Sequence, residues 1–341
     1  MTNWHYSPTG LCLVRCFDKK MYMTLNKAIE GFIENISVTD KQEDVIDGAY
    51  SNIESHLMDE DSPLSVKEVF LNGSYVRDTM IRPLDDIDIF AVIDKSDYND
   101  NGERPNPQTV LTKFKDYLNG ISDYKDKVSH DRPCVTITLN KLHIDVLPAL
   151  REWGLLYIPN EGLDGWILTD PKTHTQNLDS VNDLRHGMVK DVVKAVKSWK
   201  RLNDLRIPSF HIEEIAINFF NFYSFDNLEE GIRKWFSNAE YYIKNDRFNT
   251  EQQYENARDS INDVADKLKD AKSKKDNKNE PGAIKIWHEV FGKDFPTISE
   301  EDAKKMSGLL TGGKLKYEAT TGLSAVTGHA VAASKGFYGE E

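Results

Sequence analysis

Three aspartates and one Gly-Ser pair have the types and spacing to do chemistry in this sequence. Residues 71–93 read LNGSYVRDTMIRPLDDIDIFAVI, with Gly73-Ser74 twelve residues ahead of Asp86-Ile87-Asp88. The two acids open an apolar run, Ile89 to Ile93, that reads as a strand. Successive strand side chains point to opposite faces, so Asp86 and Asp88 share one. A second apolar run, LHIDVL at 142–147, carries Asp145 between Ile144 and Val146. A carboxylate in an apolar strand is costly to bury unless it is paired or bound to a metal. The alternative for Asp145 is an edge residue facing water; beside Asp86 and Asp88 the metal reading is preferred. Three carboxylates from two strands make a hard oxygen site suited to Mg²⁺ or Mn²⁺. Gly73 allows a close backbone approach to a phosphate, which backbone N–H groups and the Ser74 hydroxyl can hold. Together these residues describe a nucleoside triphosphate held against a carboxylate-bound metal. Asp-x-Asp alone also occurs in calcium loops and solvated turns. The Gly-Ser lead, the apolar strand and the second acid-bearing strand set this case apart.

The elements that must position these residues follow from periodicity. Residues 24–59 read as two helices, with Leu25, Ala28, Ile29, Phe32 and Ile33 on one face and Val45, Ala49, Ile53 and Leu57 on the other helix's face. Thr39 and Gln42 form a capping box between them. Arg77 and Arg82, beside the acids, read as ion-pairing residues. Residues 99–107 are a loop, 110–118 a short amphipathic helix, and 135–139 and 142–147 strands joined at Asn140-Lys141. His130 and His143 read as surface or half-buried histidines. Residues 151–174 are loop-rich, with Trp166 as a packing residue. Residues 183–203 read as one long helix with Leu184, Met188, Val192, Val193, Val196 and Trp199 on its apolar face and Lys190, Lys194, Lys197 and Lys200 on a solvated one. Ser209, after Pro208, suits a helix N-cap. Helical patterns continue at 228–242, 250–272 and 283–295, with a charged loop at 272–282. Residues 1–22 read as an extension, and 297–341, rich in Gly, Ala and Ser, as a flexible tail.

The whole chain sets further bounds. A net charge of −13 argues against constitutive nucleic-acid binding, though a local basic patch remains compatible with it. The 39% hydrophobic and 29% charged residues suit a soluble globular protein, and no apolar run reaches the length of a membrane helix. Cys12, Cys16 and Cys134 cannot form a paired framework, which fits a reducing cytoplasm. No cluster of Cys and His accompanies Cys12 and Cys16 to complete a metal site.

GSYVRDTMIRPLDDIDIF followed by HIDVLPAL resembles the DNA polymerase β-type nucleotidyltransferases. Among them it most resembles the bacterial cGAS/DncV-like nucleotidyltransferases, or SMODS proteins. These are relatives of cyclic GMP-AMP synthase and oligoadenylate synthase that make cyclic oligonucleotide signals in the anti-phage systems called CBASS. The resemblance covers residues 23–296. It includes GWILTDPKTH, Val196-Lys197-Ser198-Trp199 as the family's Lys-x-Trp element, PSFHIE as its next helix start, and FGKDFP as its FG-x-x-FP ending.

The resemblance implies an α+β fold: a polymerase β-like nucleotidyltransferase sheet with flanking helices over residues 23–180, then a helical, oligoadenylate-synthase-like domain over 181–296. It implies that Asp86, Asp88 and Asp145 are catalytic and bind two Mg²⁺ or Mn²⁺ ions. Gly73, Ser74, Lys197 and Ser209 are then expected to hold the triphosphate, and Asp145 also to accept the proton of the attacking hydroxyl. Expected partners are NTP substrates and a conjugation machinery acting on the C-terminus; an RNA activator is left open, and a monomer is expected. The rival readings are a nucleotidyltransferase acting on RNA or a protein side chain, and a catalytically inactive nucleotide-binding module. The net charge weighs against RNA tailing, the Lys-x-Trp and FG-x-x-FP elements against a protein-modifying toxin, and the three acids against an inactive module. Base identity, linkage and ring size are not legible.

Overall fold

The computed structural model describes residues 21–84, 86–98, 103–131, 133–140, 142–314, 316–318, 322–324 and 329–330. Apart from its last two residues, the expected extension at 1–22 lies outside them. A short strand, β1 (Met21–Tyr22), leads to α1 (Leu25–Ile36). Leu25, Ala28, Ile29, Phe32, Ile33 and Ile36 recur at helix spacing and are all buried. The Glu280 carboxylate accepts from the Leu25 N–H at 2.8 Å, placing an acidic group at the positive end of α1. α2 (Asp40–Leu57) begins at the expected Thr39–Gln42 capping box. Its buried face is carried by Ile46, Ile53 and Leu57, whereas Val45 is 57% exposed.

The chain then builds β2 (Val66–Asn72), the single turn α3 (Gly73–Val76), β3 (Ile87–Ile93), α4 (Pro107–Gly120), β4 (Val128–Asp131), β5 (Cys134–Leu139) and β6 (Leu142–Glu152). β7 (Leu155–Pro159) and β8 (Trp166–Thr169) follow. These strands form one sheet ordered β2-β3-β6-β5-β4, with β7 paired to the far end of β6 and β8 paired to β7. β3 and β6 run parallel, and the other pairs are antiparallel. The stretch expected to be loop-rich therefore contains a β-meander. Its tight turn uses positive φ at Trp153 (48°) and Gly154 (82°). Trp166 is a packing residue as expected, half-buried, with its indole N–H donating to the Pro105 carbonyl at 2.7 Å.

Strand alternation sorts the sheet into two faces. Ile87, Ile89, Ala91 and Ile93 of β3 pack with Ile144 and Val146 of β6 against α2 and α4, in one core cluster. The side chains between them, including Asp88 and Asp145, lie on the other face. Phe90, Val92 and Ala149 continue that face as a smaller apolar cluster with Leu156.

The helical half comprises α5 (Pro171–Leu184), α6 (Val189–Leu202), α7 (Ser209–Phe220), α8 (Leu228–Ala239), α9 (Glu251–Asp276) and α10 (Glu280–Phe291). The expected long helix at 183–203 is two helices, because His186 (φ 56°) and Gly187 (φ 82°) turn the chain. α6 is buried on both of its faces: Lys194 and Lys197 are 6% and 3% exposed, not solvated. The core of this half also contains α1, so the packing crosses the sequence boundary placed at residue 180. Phe32 of α1 lies 5.0 Å from Phe291 and 5.4 Å from Phe295 between ring centroids, which ties the FGKDFP ending to the first helix.

The region expected to be a flexible tail contains α11 (Glu300–Thr311) and the short strands β9 (Lys316–Glu318), β10 (Gly322–Ser324) and β11 (His329–Ala330). The Ser299 hydroxyl accepts from the Asp302 N–H at 3.1 Å, and acidic residues fill the first turn of α11. The strands join β1 in the order β1-β10-β9-β11. The C-terminal end proposed for conjugation, residues 331–341, lies outside the described residues.

Candidate active site

The strand register assembles a polar row across the sheet. Asn72 of β2 pairs with Asp88 of β3, Asp88 with Asp145 of β6, and Asp145 with Thr136 of β5. Directly paired residues point to the same face, so both carboxylates stand side by side. Asp86 sits just before β3 and is exposed. Gly73, the first residue after β2, has φ +78°, and a Cβ there would fall 1.8 Å from Asp88 Oδ2. The glycine is needed for the backbone turn and for the room it leaves the carboxylate.

The electrostatics follow from this crowding. Burial, then the charge of Asp145, pushes the Asp88 carboxyl up to about 6, while Arg77 and Lys197 pull the other way. Burial also raises Asp145, opposed by the Thr136 hydroxyl, which donates to Asp145 Oδ1 at 2.5 Å. Among the described residues no three His, Cys, Asp or Glu side chains are arranged to hold a metal ion as they stand. The donor set nonetheless fits a hard divalent cation: adjacent, mutually repelling carboxylates beside a glycine cradle.

Behind the acids lies a buried ionic hub around Glu213 of α7, which is 0% exposed. It accepts from Arg77 Nε at 2.7 Å, Thr79 Oγ1 at 2.6 Å and Lys197 Nζ at 2.8 Å, and His174 Nε2 lies 2.9 Å away. Burial alone would raise the Glu213 carboxyl, but His174, Lys197 and Arg77 together hold it far below the usual carboxylate range. Thr79 also donates its N–H to the Ser74 carbonyl at 2.9 Å. The hub thus fastens the Gly73–Val76 turn to three helices of the other half.

A cavity of about 660 Å³ opens over the acids. Ser74, Asp86, Asp88, Asp145, Lys197 and Ser209 all line it, and Gly73 lies beneath Asp88. The sheet brings the three acids and the Gly-Ser pair together, and α6 and α7 supply the opposite wall. Lys197 reaches that wall from a buried position in the hub. Lys200, one turn further along α6, lies with its Nζ 3.2 Å from Ser209 Oγ. Arg201, Arg206 and Arg247 also line the cavity. The wall is cationic although the chain as a whole is acidic.

Sequence reasoning missed Glu213, Thr79, His174 and Lys200. Helix spacing carried two of them: Glu213 follows Ser209 by one turn, and Lys200 follows Lys197 by one turn, so each shares a face with a residue already singled out. Thr79 and His174 gave no such signal, since their partner is distant in the chain.

Residues 23–182, a little under half of the chain, match the family described as the Second Messenger Oligonucleotide or Dinucleotide Synthetase domain. A cyclic AMP-AMP-AMP synthase of Acinetobacter sp. (strain ATCC 27244 / 9458) is 29% identical over 269 residues, which cover 67% of this chain and 72% of that protein. A probable cyclic nucleotide synthase of Bacillus cereus (strain VD146) is 26% identical over 342 residues, covering 83% of this chain and all of that one (100%). Among solved structures, CdnC of E. coli MS115-1 with ATP superposes with a TM-score of 0.64 at 20% identity, over 80% of this chain and 98% of that chain.

Proposed function

We infer that this chain, a cGAS/DncV-like nucleotidyltransferase, joins nucleoside triphosphates into a cyclic di- or trinucleotide second messenger and releases pyrophosphate. The observation that carries the reading is the meeting of an acidic row on the sheet with cations of α6, Arg206 and Arg247 across one cavity. Asp86, Asp88 and Asp145 would hold two Mg²⁺ or Mn²⁺ ions. When bound, such ions stabilise charge on the attacking and leaving oxygens of an in-line displacement. Gly73, Ser74, Lys197 and Ser209 bind the triphosphate, with Lys200 beside Ser209; Ser209 does so at the N-terminus of α7, where backbone N–H groups favour anions. A ribose hydroxyl oxygen of the acceptor forms a bond to the α-phosphorus of the donor. The bond from that phosphorus to pyrophosphate breaks, and the hydroxyl proton passes to Asp145. Repetition and ring closure give the product.

The supports for this reading extend to its setting. No helix among the described residues is long and apolar enough to cross a membrane. The one cysteine among them, Cys134, is free, which suits work in the cytoplasm. The signal is assigned to anti-phage defence of the CBASS type, with the monomer as the working unit.

The test is incubation of the purified chain with all four NTPs and Mg²⁺ or Mn²⁺, phosphatase treatment, and mass spectrometry. A phosphatase-resistant cyclic oligonucleotide is expected, absent from the Asp86→Ala/Asp88→Ala variant, and its mass identifies the bases. Label from NTP appearing instead on RNA or protein in a lysate would overturn the reading. So would full activity in the double variant.

A further inference from the structure

Asp145 has carboxylates near it on one side and, on the other, the Thr136 hydroxyl, with the Cys134 thiol as a second group that favours its charged form. Asp88 stands beside it on β3, and the charge of Asp86 reaches it. On β5, Thr136 is its direct cross-strand partner, is 8% exposed, and donates its hydroxyl to Oδ1 at 2.5 Å. An ionised carboxylate only accepts, so the direction of this bond is settled by chemistry. Threonine suits the task because its branched Cβ restricts χ1 in a strand, which holds the hydroxyl toward the neighbouring strand. The neighbours of Thr136 on β5, Val135 and Ile137, are buried in the cluster beneath the sheet, so the strand cannot roll without losing that packing.

We propose that Thr136 is a positioning residue for nucleotidyl transfer: its hydroxyl fixes the rotamer of Asp145 and occupies one lone pair of Oδ1, so that the lone pairs on the cavity side face a divalent cation. The proposal rests on the metal-dependent reading above and deepens it. A carboxylate without this donor, pressed by Asp88 and Asp86, would turn away from them and weaken the donor set. Thr136 itself never touches the nucleotide; it acts through Asp145. Positioning groups of this kind change metal affinity by about 10- to 100-fold when lost.

The experiment compares the full-length wild type with Thr136→Val, which keeps the shape and removes the donor, and Thr136→Ser, which keeps the donor. Mn²⁺ binding is measured by electron paramagnetic resonance of the free ion, in the presence of a non-reactive α,β-imido ATP analogue. Melting temperatures confirm that each variant folds. The expected result is at least about a 10-fold weaker Mn²⁺ affinity for Thr136→Val, with Thr136→Ser close to wild type. Equal affinity in Thr136→Val and wild type would overturn the proposal. Equal loss in both variants would overturn it too, because packing and not the hydroxyl would then be responsible. Product formation is read separately: a wild type that puts NTP label on RNA or protein and not into a cyclic product, while its Mn²⁺ affinity depends on Thr136, sinks the function and leaves the positioning role standing.

Discussion

The carboxylate of Asp88 occupies the space that any side chain at Gly73 would need, with Oδ2 only 1.8 Å from where a Cβ would stand. The Gly73–Val76 turn and β3, proposed to hold the triphosphate and the metal, are therefore fitted to each other at atomic contact. Gly73→Ala must move Asp88, and it also forces an L-residue into a left-handed conformation at about 1 kcal/mol or more. A displacement of this size at a reacting centre costs about 100-fold in rate. Product formation should fall by at least that factor while the melting temperature drops by only a few degrees. Near wild-type turnover would show that Asp88 has no fixed role.

Asp88 should weaken the metal-free protein at neutral pH. Its carboxyl is raised from the ordinary 3.8 to about 6. A raised value means that its contribution to stability is complete below the unfolded value and is lost as pH climbs through about 6. Asp88→Asn is expected to be more stable than wild type at pH 8 by up to about 3 kcal/mol in the absence of metal. The difference should shrink at pH 4. Added Mg²⁺ should raise the melting temperature of wild type and leave the variant unchanged. A variant less stable than wild type at pH 8 would refute this account.

Glu213 should behave in the opposite sense. Its carboxyl is held low, so its contribution is present above the ordinary carboxylate value and fades only as pH falls through its depressed one. Glu213→Gln leaves Arg77 and Lys197 buried without their counter-charge, a change that costs about 3–5 kcal/mol. Denaturant unfolding at pH 5 and at pH 8 should show the same large loss. A loss confined to one of these pH values would place the charge balance elsewhere.

Lys197 and Lys200 separate by readout. Lys197→Met removes a cation from the buried hub, so stability should fall with activity. Lys200→Met acts at Ser209 on the cavity wall, so the melting temperature should hold. One charge contact on the order of 1 kcal/mol gives Lys200→Met a KM for NTP about 5- to 10-fold higher. Calorimetry together with initial rates over a range of NTP concentrations distinguishes the two; a Lys200→Met variant that unfolds early would assign that lysine to the hub.

How far the sequence revealed these relationships depended on distance along the chain. The acids, the Gly-Ser turn, the capping box of α2 and the helix stripes were legible because each is written in neighbouring residues. Asp88 and Asp145 could be joined because each sits in an apolar strand and carboxylates demand partners. The break between α5 and α6 was hidden because the helix period runs through it, and only the positive φ at His186 and Gly187 reveals it. The hub was invisible for another reason: Arg77 reads as an ion-pairing residue beside the acids, but its partner Glu213 lies 136 residues away and nothing local points to it. α11 was obscured by composition, since small residues around it suggested a tail while Ser299 and three acids were enough to start a helix.

α1 and helices α5 to α10 share one core, with the seven-stranded sheet inserted between them in the chain. α1 therefore leaves the ribosome long before α6, α8 and α10, against which it packs. The sheet, with α2 and α4, can close its own cluster while α1 waits with its apolar stripe uncovered. A nascent chain therefore carries that stripe without its packing partners until α10 has been made. A fragment cut at residue 180 would lack one wall of its core. A circular permutant that opens the chain between α1 and α2, and tethers α1 after α10, would make the helical half contiguous for the first time.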